Sequence, residues 1–299
     1  MNVRTDATTR AKLAALSVRL AALWVLAVSA IKLFKGSPNS LPVFFRDGFL
    51  GPDLNFRCSI AVELAVVALA LLRPRWGFIG FSTLFSVFIV VLVYLVAIGA
   101  ESCGCFGGAL QFPPLAMLAV DGALFAFMLV ARPWSSLAPR PAPKLALVAA
   151  IAVALAAPWI VVRGAAQPLP AAGWHAPTVL PRYAELSPET WVGASIHTSE
   201  LAPWIDTRAL PGDATWILYR IDCDHCRDTL RRLASEFASD PKVYVLIDMA
   251  SPGDDERRVV DTLPPGEAHS LTESVDWVIT PPWILRLEDG VVVAAEHPQ

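Results

Sequence analysis

WGFIGFSTLFSVFIVVLVYLVAI, residues 76–98, contains no charged side chain over 23 consecutive positions. At about 1.5 Å per residue that length crosses the roughly 30 Å hydrocarbon core of a bilayer. The class of the chain follows from it: this region belongs in a membrane. Moving outward, four more apolar stretches flank it, at Leu13–Phe34, Cys58–Leu72, Pro113–Val130 and Leu145–Val162. The second stretch, Cys58–Leu72, is short and carries Glu63. Five spanning helices are therefore expected in the first half.

Composition agrees. The 299 residues are 55% hydrophobic and only 17% charged, against roughly 25% charged in soluble domains. The formal net charge of −3 hides an asymmetry. Residues 1–165 hold 14 Lys/Arg and 6 Asp/Glu (net +8), whereas residues 166–299 hold 10 and 21 (net −11). Disorder and nucleic-acid binding are excluded by the apolar content and by the lack of a basic cluster interleaved with aromatics. The reading is a basic membrane half followed by an acidic, ordinary half.

Short connections set orientation. Arg4, Arg10 and Lys12 precede the first span, Arg73 and Arg75 follow the second, and Arg132, Arg140 and Lys144 follow the fourth. The connection Gly99–Phe112 has no Lys or Arg. This puts the N-terminus on the cytoplasmic side and the 99–112 connection outside, with five spans exporting the second half. Lys35, Arg46 and Arg57 run against the rule, because their connection is also outside. A second reading makes the first stretch a cleaved leader with Ala27-Val28-Ser29-Ala30 as its site. Lys32 and Phe34 carry the stretch past that point, which favours a retained anchor. The location expected is the bacterial cytoplasmic (inner) membrane, multi-pass, with the C-terminal domain periplasmic.

All five cysteines (Cys58, Cys103, Cys105, Cys223 and Cys226) fall on the outer side in this topology, where disulfide chemistry is permitted. From Gly164 to about Ser187 the chain is Pro- and Ala-rich and reads as a tether. Beyond it, Thr215–Ile221 (TWILYRI) suits a buried strand. Cys223-Asp224-His225-Cys226 then opens a helical pattern with Leu230, Leu233 and Phe237 on one face. Lys242–Ile247 reads as a second strand, Asp254–Leu263 as a second helix, and Trp283–Leu287 with Val291–Ala294 as a hairpin about Glu288-Asp289-Gly290.

This order, with Thr280-Pro281 before the hairpin, resembles a thioredoxin-fold domain of the membrane-tethered, TlpA-like kind over residues 191–299. The fold class expected is thus an all-α membrane bundle, four helices plus a fifth span, followed by an α/β thioredoxin-like domain. Its parts are 1–140 for the four-span unit, 141–165 for the fifth helix, 166–190 for the linker and 191–299 for the domain. A helix N-terminus favours thiolate over thiol, so Cys223 is the expected nucleophile and Cys226 the resolving thiol. His225, when protonated, would stabilise the thiolate and Asp224 would oppose it. Pro281 matches the family's cis-proline, which lies against the cysteine pair. A zinc site is the other use of Cys-x-x-Cys, but no second Cys/His pair of suitable spacing exists in this half. The sequence departs from the family twice. Ile217 stands where the family often has a buried acid, and Gln299 follows the hairpin with no room for a last helix.

Glu101-Ser102-Cys103-Gly104-Cys105-Phe106-Gly107-Gly108 follows the third span. Over residues 13–131 this resembles the MauE family of methylamine utilisation proteins, related to DoxX, which carries Cys-Gly-Cys-Phe-Gly there and an acid matching Glu63. The resemblance implies a redox-associated membrane protein, linked in methylamine users to disulfide formation in the amine dehydrogenase small subunit. A Cys103–Cys105 disulfide over a single glycine would be strained and hence oxidising. A soft-metal site with Cys58 as third ligand is the competing use. Cys58 is otherwise a relay thiol or passive packing. Glu63 and Asp121 are intramembrane acids, Glu63 placed to move protons and Asp121 to pair with Arg19.

The expected activity is thiol–disulfide exchange between Cys103/Cys105 and Cys223/Cys226, supporting disulfide formation or maturation of envelope proteins. The alternative is a non-catalytic assembly factor or copper-delivery protein using the same cysteines. No tightly bound cofactor is expected; a quinone or another membrane carrier is the candidate electron acceptor. The partners are envelope protein thiols or disulfides and the lipid bilayer, with no nucleic acid.

Overall fold

A computed structural model describes residues 3–46, 48, 50–100, 102–106, 112–131, 143–162, 174, 180–237, 239–249 and 258–298. The chain divides into two compact units, Met1–Val162 and Arg163–Gln299.

In the first unit, α1 (Val3–Lys35) is followed by a 3-10 turn at Pro38–Ser40 and a short α2 (Val43–Arg46). Then come α3 (Pro52–Leu72), α4 (Pro74–Ala97), α5 (Pro114–Ala131) and α6 (Lys144–Val161). Among the described residues, five helices are long and apolar enough to cross a membrane: Thr9–Lys35 within α1, and α3 to α6. The second span starts at Pro52, not at Cys58 as hydropathy suggests. Proline at the first helical position and Asp53 in the first turn start the helix one and a half turns earlier. The bundle core joins Val18, Ala21 and Val25 of α1 to Val67 and Ala70 of α3, Phe81 and Phe85 of α4 and Met128 of α5. Helices α3 and α4 approach so closely that a Cβ on Gly77 would lie 2.2 Å from the Ala70 Cα.

Three polar anchors lie inside this apolar unit. Lys32 Nζ and Glu63 Oε1 are 2.6 Å apart, both buried, and Ser29 Oγ donates to Glu63 Oε2 at 2.8 Å. Asp121 does not pair with Arg19, which is exposed; its Oδ1 accepts from Trp24 Nε1 at 2.9 Å. The expected pairing fails because Arg19 points away from the core and Trp24, about a turn and a half on, faces it. Arg57 is buried and not a free topological charge. Its Nε faces both Asp53 oxygens (2.9 and 2.8 Å), and its Nη1 donates to the carbonyls of Pro158 and Val162 at 3.2 and 3.0 Å. A guanidinium thus caps the C-terminal end of α6, where carbonyls lack helical partners. The residue at which the fifth span ends is thereby fixed at the α3 N-terminus.

The described residues of the second unit form seven strands: β1 (Tyr183–Glu185), β2 (Ala214–Tyr219), β3 (Tyr244–Asp248), β4 (Glu267–Ser270), β5 (Asp276–Val278), β6 (Trp283–Glu288) and β7 (Val291–Glu296). Its α7 spans Asp224–Phe237. The main sheet runs β4-β3-β2-β6-β7, with β4, β3 and β2 parallel and β6 and β7 antiparallel to their neighbours. β1 and β5 form a separate parallel pair. The hairpin turns at Asp289 (φ 50°) and Gly290 (φ 73°), as the Asp-Gly dipeptide requires.

One face of the sheet receives Cys226, Leu230 and Leu233 of α7 against Ile217, Tyr219, Tyr244 and Leu246. The other is covered by residues upstream of β2, among them Leu186, Trp191, Ile196 and Leu201, packed on Trp216, Val245 and Leu285. Tyr183 and Ala184, inside the stretch expected as linker, are buried in β1, because paired backbone and a large aromatic outweigh the surrounding proline content. The rest of that stretch lies mostly outside the described residues. Of the helix expected at 254–263, residues 254–257 also lie outside them, while 258–263 are not helical; the backbone N–H groups of Val259 and Val260 turn instead to the Ile221 carbonyl.

Candidate functional site

In the first unit residues 102–106, between α4 and α5, pack into the bundle. Cys103 is buried beside Val28, Leu92, Leu95, Phe106 and Met117, with Cys105 packed against the same cluster. The Cys103 N–H donates to the Phe112 carbonyl at 3.0 Å, closing the turn. Gly104 between the cysteines has φ +66°, and a Cβ there would fall 1.6 Å from the Ser40 carbonyl oxygen. Only glycine fits, on conformational and on steric grounds. The turn therefore sits against Ser40, at the bundle end where α1 finishes, α3 begins and Arg57 holds Val162.

Both thiols are free. The Cys105 N–H donates to Cys103 Sγ at 3.3 Å, and the Cys105 thiol donates to the Cys103 carbonyl at 3.6 Å. Hydrogen bonding from the Cys105 thiol, with the Lys32 charge in support, holds the Cys103 thiol below its ordinary range. The same interaction, joined by burial, pushes Cys105 up, so it keeps its proton. The surroundings thus favour the thiolate at Cys103 and the protonated thiol at Cys105.

A cavity of about 530 Å³ opens beside the pair, with Lys32, Cys58, Glu63, Cys103, Gly104 and Cys105 in its wall. A second space of about 30 Å³ is bounded by Lys32, Glu63, Cys105 and Asp121, enough for a single water among polar partners. Cys58 is half-buried in α3 and faces the larger cavity. It does not combine with Cys103 and Cys105 into a cluster of three metal ligands among the described residues. Lys32 is the residue that hydropathy reading missed. Its signal is a cation near the C-terminal end of one span with an acid in the next.

In the second unit, Cys223 and Cys226 are joined by a disulfide at the start of α7, directly after β2. Cys226 is fully buried, while Cys223 is partly accessible. The Cys226 N–H points at Cys223 Sγ at 3.0 Å, the arrangement that a helix N-terminus offers a thiolate. Asp224 pairs with Arg227 (2.6 Å), so its charge is offset. The exposed His225 places Nε2 2.8 Å from the Pro298 carbonyl oxygen, tying the first turn of α7 to the segment after β7.

The cis bond lies between Pro281 and Pro282, so the cis residue is Pro282, not Pro281. Two successive X–Pro bonds were available, both with the low cis penalty of a tertiary amide, and composition does not choose between them. Pro281 remains at the site: its carbonyl oxygen is 4.0 Å from Cys223 Sγ. Ile217 is fully buried where an acid was sought, and Tyr219 shares its face of β2. Burial, then the Asp248 carboxylate, push the Tyr219 hydroxyl up to about 12, so it stays neutral.

No curated protein and no solved structure matches the chain. Residues 10–135, which carry the first four spanning helices and the Cys103/Cys105 turn, match the family of methylamine utilisation protein MauE.

Proposed function

We propose that the protein is a membrane-bound thiol–disulfide exchange protein whose two cysteine pairs pass electrons to one another. The observation that carries the proposal is the Arg57 clamp. It fixes Val162, from which the chain continues into the second unit, at the bundle end that holds Cys103 and Cys105. Covalent linkage then raises the effective concentration of one pair at the other to roughly millimolar. The match over residues 10–135 supports a redox-related membrane role in methylamine utilisation, with amine dehydrogenase as a candidate client.

The second unit is inferred to be thioredoxin-like. Strand β2, the Cys-x-x-Cys helix α7, parallel β3, the cis bond beside Cys223 and the β6–β7 hairpin support this. The edge strand β4 departs from the pattern, since it follows β3 in the chain. In the exchange, the Cys223 thiolate attacks one sulfur of a Cys103–Cys105 disulfide and displaces the other as thiolate. Cys226 then attacks Cys223 in the mixed disulfide, leaving a Cys223–Cys226 disulfide and two reduced bundle thiols. No atom or electron is gained or lost.

The test is trapping. Cys226→Ser stops the second attack and accumulates a mixed disulfide through Cys223, detected on non-reducing gels and located by mass spectrometry. Cys105→Ser does the same through Cys103. If neither variant accumulates a mixed disulfide, the exchange proposal is wrong.

A further inference from the structure

The thiols at the bundle end adjoin an apolar cavity of about 530 Å³, within the roughly 300–1,000 Å³ of small-molecule sites. We propose that this cavity binds a lipid-soluble quinone, which oxidises Cys103 and Cys105. The inference deepens the exchange reading above, since it names the acceptor that the bundle pair requires.

Four features point to this occupant. Phe44, Phe45, Val62 and Val87 line the cavity and are themselves exposed, so it opens where hydrocarbon would lie. A ligand entering there is carried by the bilayer and not by water. The aromatic walls Phe44, Phe45 and Phe88 suit a planar ring. Lys32 lies in the wall with its Nζ held by Glu63 at 2.6 Å and placed 5.9 Å from the centre of the Phe88 ring. An ammonium has three N–H groups, and Glu63 takes one. Another is available for a ring carbonyl, where it favours the negative charge that arrives on reduction. Finally, the two sulfurs share the wall with that ammonium. A lipid acyl chain would fill the apolar part but offers no acceptor to Lys32 and no sink for electrons.

The step balances. Cys103 and Cys105 together give up two electrons and two protons, and one S–S bond forms between their Sγ atoms. The two quinone carbonyls take both electrons and both protons and become hydroxyls. Electrons therefore run from the Cys223/Cys226 dithiol through the bundle pair to quinone, and the second unit acts as an oxidant of its clients.

The experiment uses the full chain in lipid nanodiscs, reduced and freed of reductant, with decylubiquinone as the probe. In a Cys223→Ser/Cys226→Ser background, one equivalent of quinone is expected to be reduced per chain, with loss of alkylatable thiol at Cys103 and Cys105. Val87→Trp, and separately Val62→Trp on the facing helix, fill the cavity from its exposed side. Each is expected to slow quinone reduction at least tenfold while the thermal unfolding midpoint and the number of alkylatable thiols stay as in the parent chain. Absence of quinone reduction, or wild-type rates in both tryptophan variants, overturns the proposal and leaves the cavity to a lipid chain. Mixed-disulfide trapping without quinone reduction defeats this inference alone; quinone reduction without trapping defeats the exchange reading alone.

Discussion

Replacing Glu63 by leucine removes the carboxylate in direct contact with a buried lysine. Lys32 and Glu63 side chains are only 7% and 3% exposed, their charged atoms are 2.6 Å apart, and Ser29 donates to the other carboxylate oxygen. Breaking a buried pair by deleting one member costs about 3–5 kcal/mol, because the remaining ion is left uncompensated. A lone lysine can also discard its proton. From an ordinary value near 10.4, doing so at pH 7 limits the cost to about 4.6 kcal/mol. Glu63→Leu should therefore lower stability by about 3–5 kcal/mol, read from reversible unfolding in mixed detergent micelles. The double variant Lys32→Met/Glu63→Leu replaces the pair by apolar groups of similar length and should recover most of that loss, as apolar replacements of buried pairs often do. Rescue by the second substitution is the decisive reading. If Glu63→Leu costs under about 1 kcal/mol, or if the double variant is as unstable as the single one, the pair does not carry this part of the bundle and the reasoning fails.

Gly104→Ala places a side chain at φ +66° and into the Ser40 carbonyl, so about 1–2 kcal/mol of backbone strain is expected before any clash is counted, with a lower midpoint in thermal unfolding and altered alkylation of Cys103. Cys103 alkylation by iodoacetamide should titrate below the ordinary thiol range near 8.5, since the thiolate is favoured. Cys105→Ala removes the main donor, so the midpoint moves up and the rate at pH 7 falls; an unchanged profile would show that Cys105 does not hold the Cys103 thiolate. Arg57→Leu leaves two carbonyls at the end of α6 without their donor, a loss of about 1.5–3 kcal/mol for a charged hydrogen bond. Limited proteolysis after residue 162 should accelerate in that variant, and equal rates would dismiss the clamp.

The spans are legible because a bilayer imposes one length and one composition: four stretches meet both, and Cys58–Leu72 falls short only in length. The Cys-x-x-Cys start of α7 was legible for a similar reason: a β-branched run switching to helical spacing is a local pattern. What escaped was tertiary. Arg57 read as a charge to be counted for orientation, whereas its role depends on α6, more than 100 residues away. Glu63 stands out in sequence as an intramembrane acid, whereas Lys32 shows only as a continuation of the first stretch; the fold makes the two a pair. Asp121 found Trp24 because side-chain direction on a helix, not charge, decides who faces the core. The start of α3 was misplaced because hydropathy outvoted Pro52 and Asp53, the stronger local signal. The cover of the second sheet face by 3-10 turns and loops between β1 and β2 has no periodicity to read.

The sulfur of Cys223 lies against the carbonyl of Pro281, a residue made 58 positions later. Central strand β2 likewise waits for β6, which pairs Ala214 with Leu287. During synthesis from the N-terminus, Cys223 and Cys226 emerge with α7 while one edge of their strand is still bare. For that interval Cys226, fully buried in the finished unit, is open to thiols and oxidants alongside Cys223. Chain growth past β6, more than the formation of α7, marks the moment at which this cysteine pair becomes enclosed.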